Sequence, residues 1–222
     1  MNMRPLLILL VSLCTAAGLS AQTLAPAEVN ALLAKIREKR ASARSMQSNF
    51  QEQRKVHLLD APISATGKIW FQAPNKFRRE AQGSAPSVTV SDGTQLWIYY
   101  PKFKSAERYS LTKHSPLDAG IAAILAGLNL QGLETTYRVT GRKEGANTVI
   151  ELDPRVPSLR HILQKLDVTI SPELLVTRTD MQQPNGDRVI TTYSNQTSGA
   201  IPASMFEFTP PAGTDVTTPL GK

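Results

Sequence analysis

The stretch from Gly67 to Pro101 restricts what this chain can fold into more than any other. It contains three short segments rich in β-branched and aromatic residues. Turn signals separate them: Pro74-Asn75, a Gly/Ser/Pro cluster from Gly83 to Ser87, and Asp92-Gly93. This pattern predicts a β-meander with hairpin turns. The apolar residues do not simply alternate. Ile69, Trp70 and Phe71 are consecutive, as are Leu96, Trp97, Ile98, Tyr99 and Tyr100. Strands that are apolar on both sides need both sides out of water. A helix can cover one face, and in a chain this short the other face can line a cavity.

The rest of the chain supplies the helices and further strands. Pro26 to Arg44 reads as an amphipathic helix, with Val29, Leu32, Leu33, Ile36 and Ala43 on one stripe. Ser115 is a good N-cap and Pro116 suits the first helical position; Leu117, Ile121, Ile124, Leu125 and Leu128 follow at helical spacing. This second helix, predicted to close at Gly127, carries only Asp118 to solvate it, so it reads as core or as a lid over a cavity. Successive short strands continue to Tyr193, with turns at Ser171-Pro172-Glu173 and at Pro184 to Asp187, while 159–166 fits a short helix or a strand start. The tail after Pro211 reads as loose. The expected class is mainly β (α+β), with about ten strands paired antiparallel.

Residues 1–21 carry the marks of a secretory signal: Arg4, an apolar core from Leu6 to Leu13, and small residues before Gln22. The expectation is a signal peptide over 1–21 and a single domain over 22–222. The lone cysteine, Cys14, falls inside that leader, so the mature chain has neither disulfide nor thiolate. The formal charge is +7, but Lys and Arg are spread along the chain without a reading motif, which argues against nucleic acid. His57, His114 and His161 lack metal-ligand spacing. No nucleophile elbow, P-loop or dinucleotide fingerprint is present, so no enzyme and no cofactor are expected. What remains suits binding of something apolar, though composition alone fits a dense core equally well.

Three runs carry a family resemblance: Gly67-x-Ile-Trp-Phe-x-x-Pro-Asn-x-Phe77, Val90-Ser-Asp-Gly-x-x-Leu-Trp-x-Tyr-x-Pro101, and Phe206-x-Phe-Thr-Pro-Pro-x-Gly213. In order and spacing they resemble the LolA family of periplasmic outer-membrane lipoprotein carriers. The resemblance implies an unclosed, strongly curved antiparallel β half-barrel with helices covering the concave side. It implies a monomeric periplasmic chaperone that takes lipoproteins from the inner-membrane transporter LolCDE and hands them to a LolB-like outer-membrane acceptor. Their acyl chains would ride in a cavity lined by Phe50, Ile69, Phe71, Phe77, Leu96 and Ile98, with Leu117, Ile121 and Leu125 on the lid and Arg79 at the mouth. Phe77→Glu is then expected to leave the fold intact and upset ligand handling. The family's Arg before the Pro-Asn pair is Ala73 here; either Arg54, Arg78 or Arg79 replaces it, or the lid closes less firmly. The alternatives are a carrier of another lipid, glycolipid or acyl group, and a lipoprotein-sensing regulator similar to the RseB family.

Overall fold

Each strand-forming stretch finds its partner mostly in the next one along the chain. The computed structural model describes residues 22–111 and 133–218. The leader and the second predicted helix, with Leu117, Ile121 and Leu125, lie outside the described residues. The strands are β1 (Ser45–Lys55), β2 (Ile63–Gln72), β3 (Lys76–Gly83), β4 (Ser87–Ser91), β5 (Gln95–Tyr100) and β6 (Ser105–Ser110). Then come β7 (Tyr137–Glu144), β8 (Asn147–Pro154), β9 (Lys165–Ile170), β10 (Val176–Gln182), β11 (Arg188–Ser198) and β12 (Asp215–Thr217). They form one unclosed twelve-stranded sheet in the order β12-β6-β5-β4-β3-β2-β1-β11-β10-β9-β8-β7. All neighbours are antiparallel except β12 and β6.

The sheet's concavity follows from what its ends share. Thr89 on β4 and Leu166 on β9 line the same cavity of about 160 Å³. Six inter-strand spacings separate them, about 29 Å on a flat sheet. Only a strongly curled sheet brings them to one small space. At its β7 edge, Lys143 N–H and Leu24 N–H bond to Gln22 and Gly141 carbonyls, both at 2.8 Å, which blunts that edge.

The helix α1 (Pro26–Ser42) starts where the sequence predicts. Pro26 occupies the first position, and the Glu28 carboxylate accepts from the Ala25 N–H at 2.7 Å. Val29, Leu33 and Ile36 turn inward and join Ile150, Leu152, Leu166, Val168, Ile170 and Val176 in the main core. These are the inward residues of β8, β9 and β10, so α1 covers the concave side of that half. Each fully buried aliphatic side chain there stabilises by about 1.5–3 kcal/mol. Arg40 continues the stripe, and burial pushes its guanidinium down to about 10. Its Nη1 is buried without a hydrogen-bond partner.

The other half solves the two-sided strands differently from the sequence-based expectation. Ahead of Pro210 the chain forms a 3-10 turn, Ala203–Phe206, and the tail beyond Pro211, expected to be loose, forms the strand β12. The turn packs on β3, Arg78 donates to the Met205 carbonyl at 3.4 Å, and Phe206 is buried. The Phe208 ring lies 5.7 Å from those of both Trp97 and Tyr99. The convex face of β3 to β5 is therefore covered by the chain's own C-terminal segment. On β7 to β9 the convex face instead carries charge, with Arg142 paired to Glu151 and Lys165 to Asp167 at 3.2 Å.

Asp180 on β10 provides a pH test of this architecture. It is 7% exposed, and Arg188 grips it with two bonds of 2.6 Å while Arg178 adds one of 3.2 Å. Burial pushes its carboxyl up, but the two guanidiniums outweigh this and hold it below the usual carboxylate range. A depressed folded-state value gives stability that is present above about pH 4 and lost as pH falls through the folded value. Urea midpoints should therefore fall on acidification below about pH 4, and Asp180→Asn should flatten that part of the profile. An unchanged slope in the variant would remove Asp180 from the acid sensitivity.

Candidate functional site

The site is built from cross-strand rows on the concave face. In one row, Ser48, Ile69, Arg79, Thr89 and Ile98 face each other on β1 to β5. In the next, Phe50 stands between Tyr193 on β11 and Gly67 on β2, with Ala81 beyond. A third joins Met46, Phe71, Phe77, Ser91 and Leu96. The register settles which parity faces inward: even positions on β1 and β5, odd ones on β2, β3 and β11.

The cavity lies between this wall and the half covered by α1. Of the sequence-predicted residues, Phe50, Ile69, Phe77 and Arg79 line it. Phe71 and Leu96 sit with Phe77 in a buried cluster against which Ile98 packs. They support the wall and do not line the cavity. Phe77 is 0% exposed, so it is both a core residue and a lining residue.

The sequence reading missed the opposite wall. Leu166, Thr179, Met181, Val189, Thr191 and Tyr193 complete the lining. Only the return of β11 alongside β1 places them there, which chain order does not announce. The alternation Val189, Thr191, Tyr193 was the available signal, because it marks one face of one strand.

The lining is not purely apolar. Arg79 donates to Glu52 at 2.7 Å, and its guanidinium sits 4.3 Å from the centre of the Phe50 ring. The Thr191 hydroxyl approaches the same carboxylate at 3.4 Å. Burial pushes the Tyr193 phenol above its ordinary value, so it remains a neutral group, 3.5 Å from the Thr179 hydroxyl. Arg54 lines the cavity beyond Glu52 and is exposed. Arg78 lies on the opposite face, where it pairs with Glu80 at 2.7 Å. The cavity thus has aliphatic and aromatic walls with an ion pair set into one of them.

Two apolar clusters flank this space. The larger one holds α1 and β8 to β10, the smaller one Phe50, Ile69 and Ala81. Tyr193 packs against both. Among the described residues it is the side chain that links the two clusters, and the paired strands β1 and β11 join the two walls beneath it. Among the described residues no group of three or more His, Cys, Asp or Glu side chains could hold a metal ion. No described helix is long and apolar enough to cross a membrane.

Comparison with known proteins agrees with this construction. The family model described as "Outer membrane lipoprotein carrier protein LolA" matches residues 41–209. The outer-membrane lipoprotein carrier protein of Edwardsiella ictaluri is 29% identical over 147 residues, covering 66% of this chain and 68% of that one. Its counterpart in Yersinia pestis is 27% identical over 211 residues, covering 92% and 95%. An uncharacterized conserved protein from Thermus thermophilus shares the fold, with a TM-score of 0.52 at 9% identity over 86% of this chain and 99% of that one. The chain belongs to the LolA family of outer-membrane lipoprotein carrier proteins.

Proposed function

We propose that this protein is a periplasmic chaperone that shields the acyl chains of lipoproteins in its concave cavity. It would receive them from an inner-membrane transporter of the LolCDE kind and release them to an outer-membrane acceptor of the LolB kind. The observation that supports this reading is a cavity between a curled sheet and α1 with Phe50, Ile69, Phe77, Leu166, Met181, Val189 and Tyr193 in its walls. Membership of a family whose relatives are named lipoprotein carriers supplies the cargo class.

Size and energy set how such a carrier works. At about 160 Å³ the cavity bounded by the described residues holds a guest the size of benzene, less than a whole acyl chain. Loading a chain requires the curl of the sheet to open, with β1 and β11 staying paired between the two walls. Each methylene taken from water then contributes about 0.8 kcal/mol. Release needs the closed empty form to lie close in free energy to the loaded one. The Arg79–Glu52 pair would meet the ester and amide groups of the lipidated cysteine, offering both donors and acceptors.

Mass spectrometry of the protein recovered from periplasm tests the cargo. Bound lipoprotein is the expected result; a glycolipid or a free acyl group in its place would sink this reading. Filling the cavity tests the site. Thr89→Trp places an indole over the lining and should weaken binding of a fluorescent fatty-acyl probe by about tenfold, which 1.4 kcal/mol produces. Unchanged affinity would move the binding site elsewhere.

A further inference from the structure

The antiparallel register sorts every turn of this sheet to one of two ends. β1 finishes at Lys55 opposite Arg188, and β2 begins at Ile63 opposite Arg54. The connections 56–62, 84–86, 101–104, 155–164 and 183–187 therefore share one rim. The connections 43–44, 73–75, 92–94, 145–146 and 171–175 share the other.

The two rims differ in kind. The large hydrophobic side chains most open to water gather at the first rim. Leu58 is 87% exposed, Leu59 52% and Phe103 71%. Ile63, Val156 and Ile162 stand at the same end, and Val216 lies one pairing step below it, opposite Ala106. No described residue of the other rim belongs to this group. Single exposed apolar residues are ordinary on a protein surface, but their collection along one rim is not.

The apolar rim is also cationic. Connections of the apolar rim carry Lys102, Lys104, Arg155 and Arg160 against Asp60 and Asp187. Asp187 is already engaged by the His57 N–H at 2.8 Å, which also ties the Leu58–Leu59 tip to the neighbouring turn. Arg155 and Arg160 donate to the carbonyls of Tyr137 and Pro154, and among the described residues neither is in an ion pair. The opposite rim has Asp92 and Glu173 in its turns, with Arg44 beside Ala73 and Lys39 on the Glu173 carbonyl, so acid and base are mixed there. The cavity lining reaches the cationic rim at Arg54.

We propose that this rim is a membrane-contact surface that rests on anionic lipid headgroups with Leu58, Leu59 and Phe103 inserted among them. Apolar tips with surrounding cations are the chemistry that holds a protein at a bilayer interface. A protein docked this way presents the Arg54 end of its cavity to the lipid, shortening the exposed path of an acyl chain. The contact goes beyond the carrier reading and stands without it, because it rests on the rim and not on what fills the cavity.

The test reads the rim directly. An environment-sensitive dye is attached to the Leu58→Cys variant, and in a second protein to Ala146→Cys on the other rim, both with Cys14→Ser. With vesicles of phosphatidylglycerol and phosphatidylethanolamine, the dye at 58 should shift to the blue and be quenched by chain-labelled lipid. The dye at 146 should not respond, and phosphatidylcholine vesicles should give a weaker effect. Leu58→Asp with Leu59→Asp should lower vesicle partition about tenfold or more, and Lys102→Gln with Lys104→Gln should lower it several-fold. No response at 58, equal responses at 58 and 146, or partition unchanged in both double variants overturns the proposal. Shielding at 58 by an envelope protein but not by vesicles would reassign the rim to a protein partner and overturn it as well.

Discussion

Phe77→Glu should leave little folded protein. The ring is fully buried with Phe71 and Leu96, on the third residue row of the concave wall. Deleting a buried Phe side chain to Ala costs about 3–5 kcal/mol. A carboxylate in its place adds the penalty of an unpaired buried charge or of protonating it. That sum takes most of the roughly 5–15 kcal/mol available to a domain. Urea denaturation should show Phe77→Glu largely unfolded before denaturant is added, and Phe77→Leu lowered by about 1 kcal/mol. Reading Phe77 as a residue of an open mouth leads to the opposite expectation, a folded protein with altered ligand handling. A folded Phe77→Glu with a near-parental midpoint would show that the ring leaves its cluster readily. Handling is better probed with Phe77→Leu, which keeps the volume approximately and alters the lining.

The second large effect is expected at Gly67, in the middle of β2. A Cβ added there would overlap the Glu80 carbonyl oxygen of β3 and stand 2.8 Å from Cζ of Phe50. The glycine is needed for close approach, because the Phe50 ring lies across the strand where a side chain would project. Backbone cannot yield as the tip of a flexible side chain can. Overpacking of this kind costs about 3 kcal/mol or more. Gly67→Ala should lose that much in urea denaturation, while Gly199→Ala, with open space around it, should stay within about 0.5 kcal/mol. A Gly67→Ala midpoint equal to the parent would mean that Phe50 does not occupy the space above the strand. Because Phe50 also lines the cavity, a partly folded variant should bind the acyl probe poorly.

Much of the architecture is local and therefore readable from residue order. Proline at the start of α1, Glu28 behind it and the stripe of Val29, Leu33 and Ile36 mark a helix without reference to anything distant. Asp92-Gly93 and Pro74-Asn75 mark tight turns, and tight turns force antiparallel neighbours. The consecutive apolar residues of β5 announce two covered faces. They do not say what covers them. The answer on the convex side is Phe206 and Phe208, more than a hundred residues downstream, just before the tail that reads as loose.

The functional site divides in the same way. Phe50, Ile69, Phe77 and Arg79 could be placed on one wall because alternation along a strand fixes which side chains share a face. The partners that close the space, from Leu166 to Tyr193, depend on β11 pairing with β1. That pairing joins segments about 140 residues apart in the chain and leaves no local trace. Short-range sterics and periodicity thus determined the elements, their turns and the faces of each strand. Long-range pairing and the curl of the sheet decided that those faces enclose a cavity, that Arg79 meets Glu52 there, and that the exposed leucines stand at its rim.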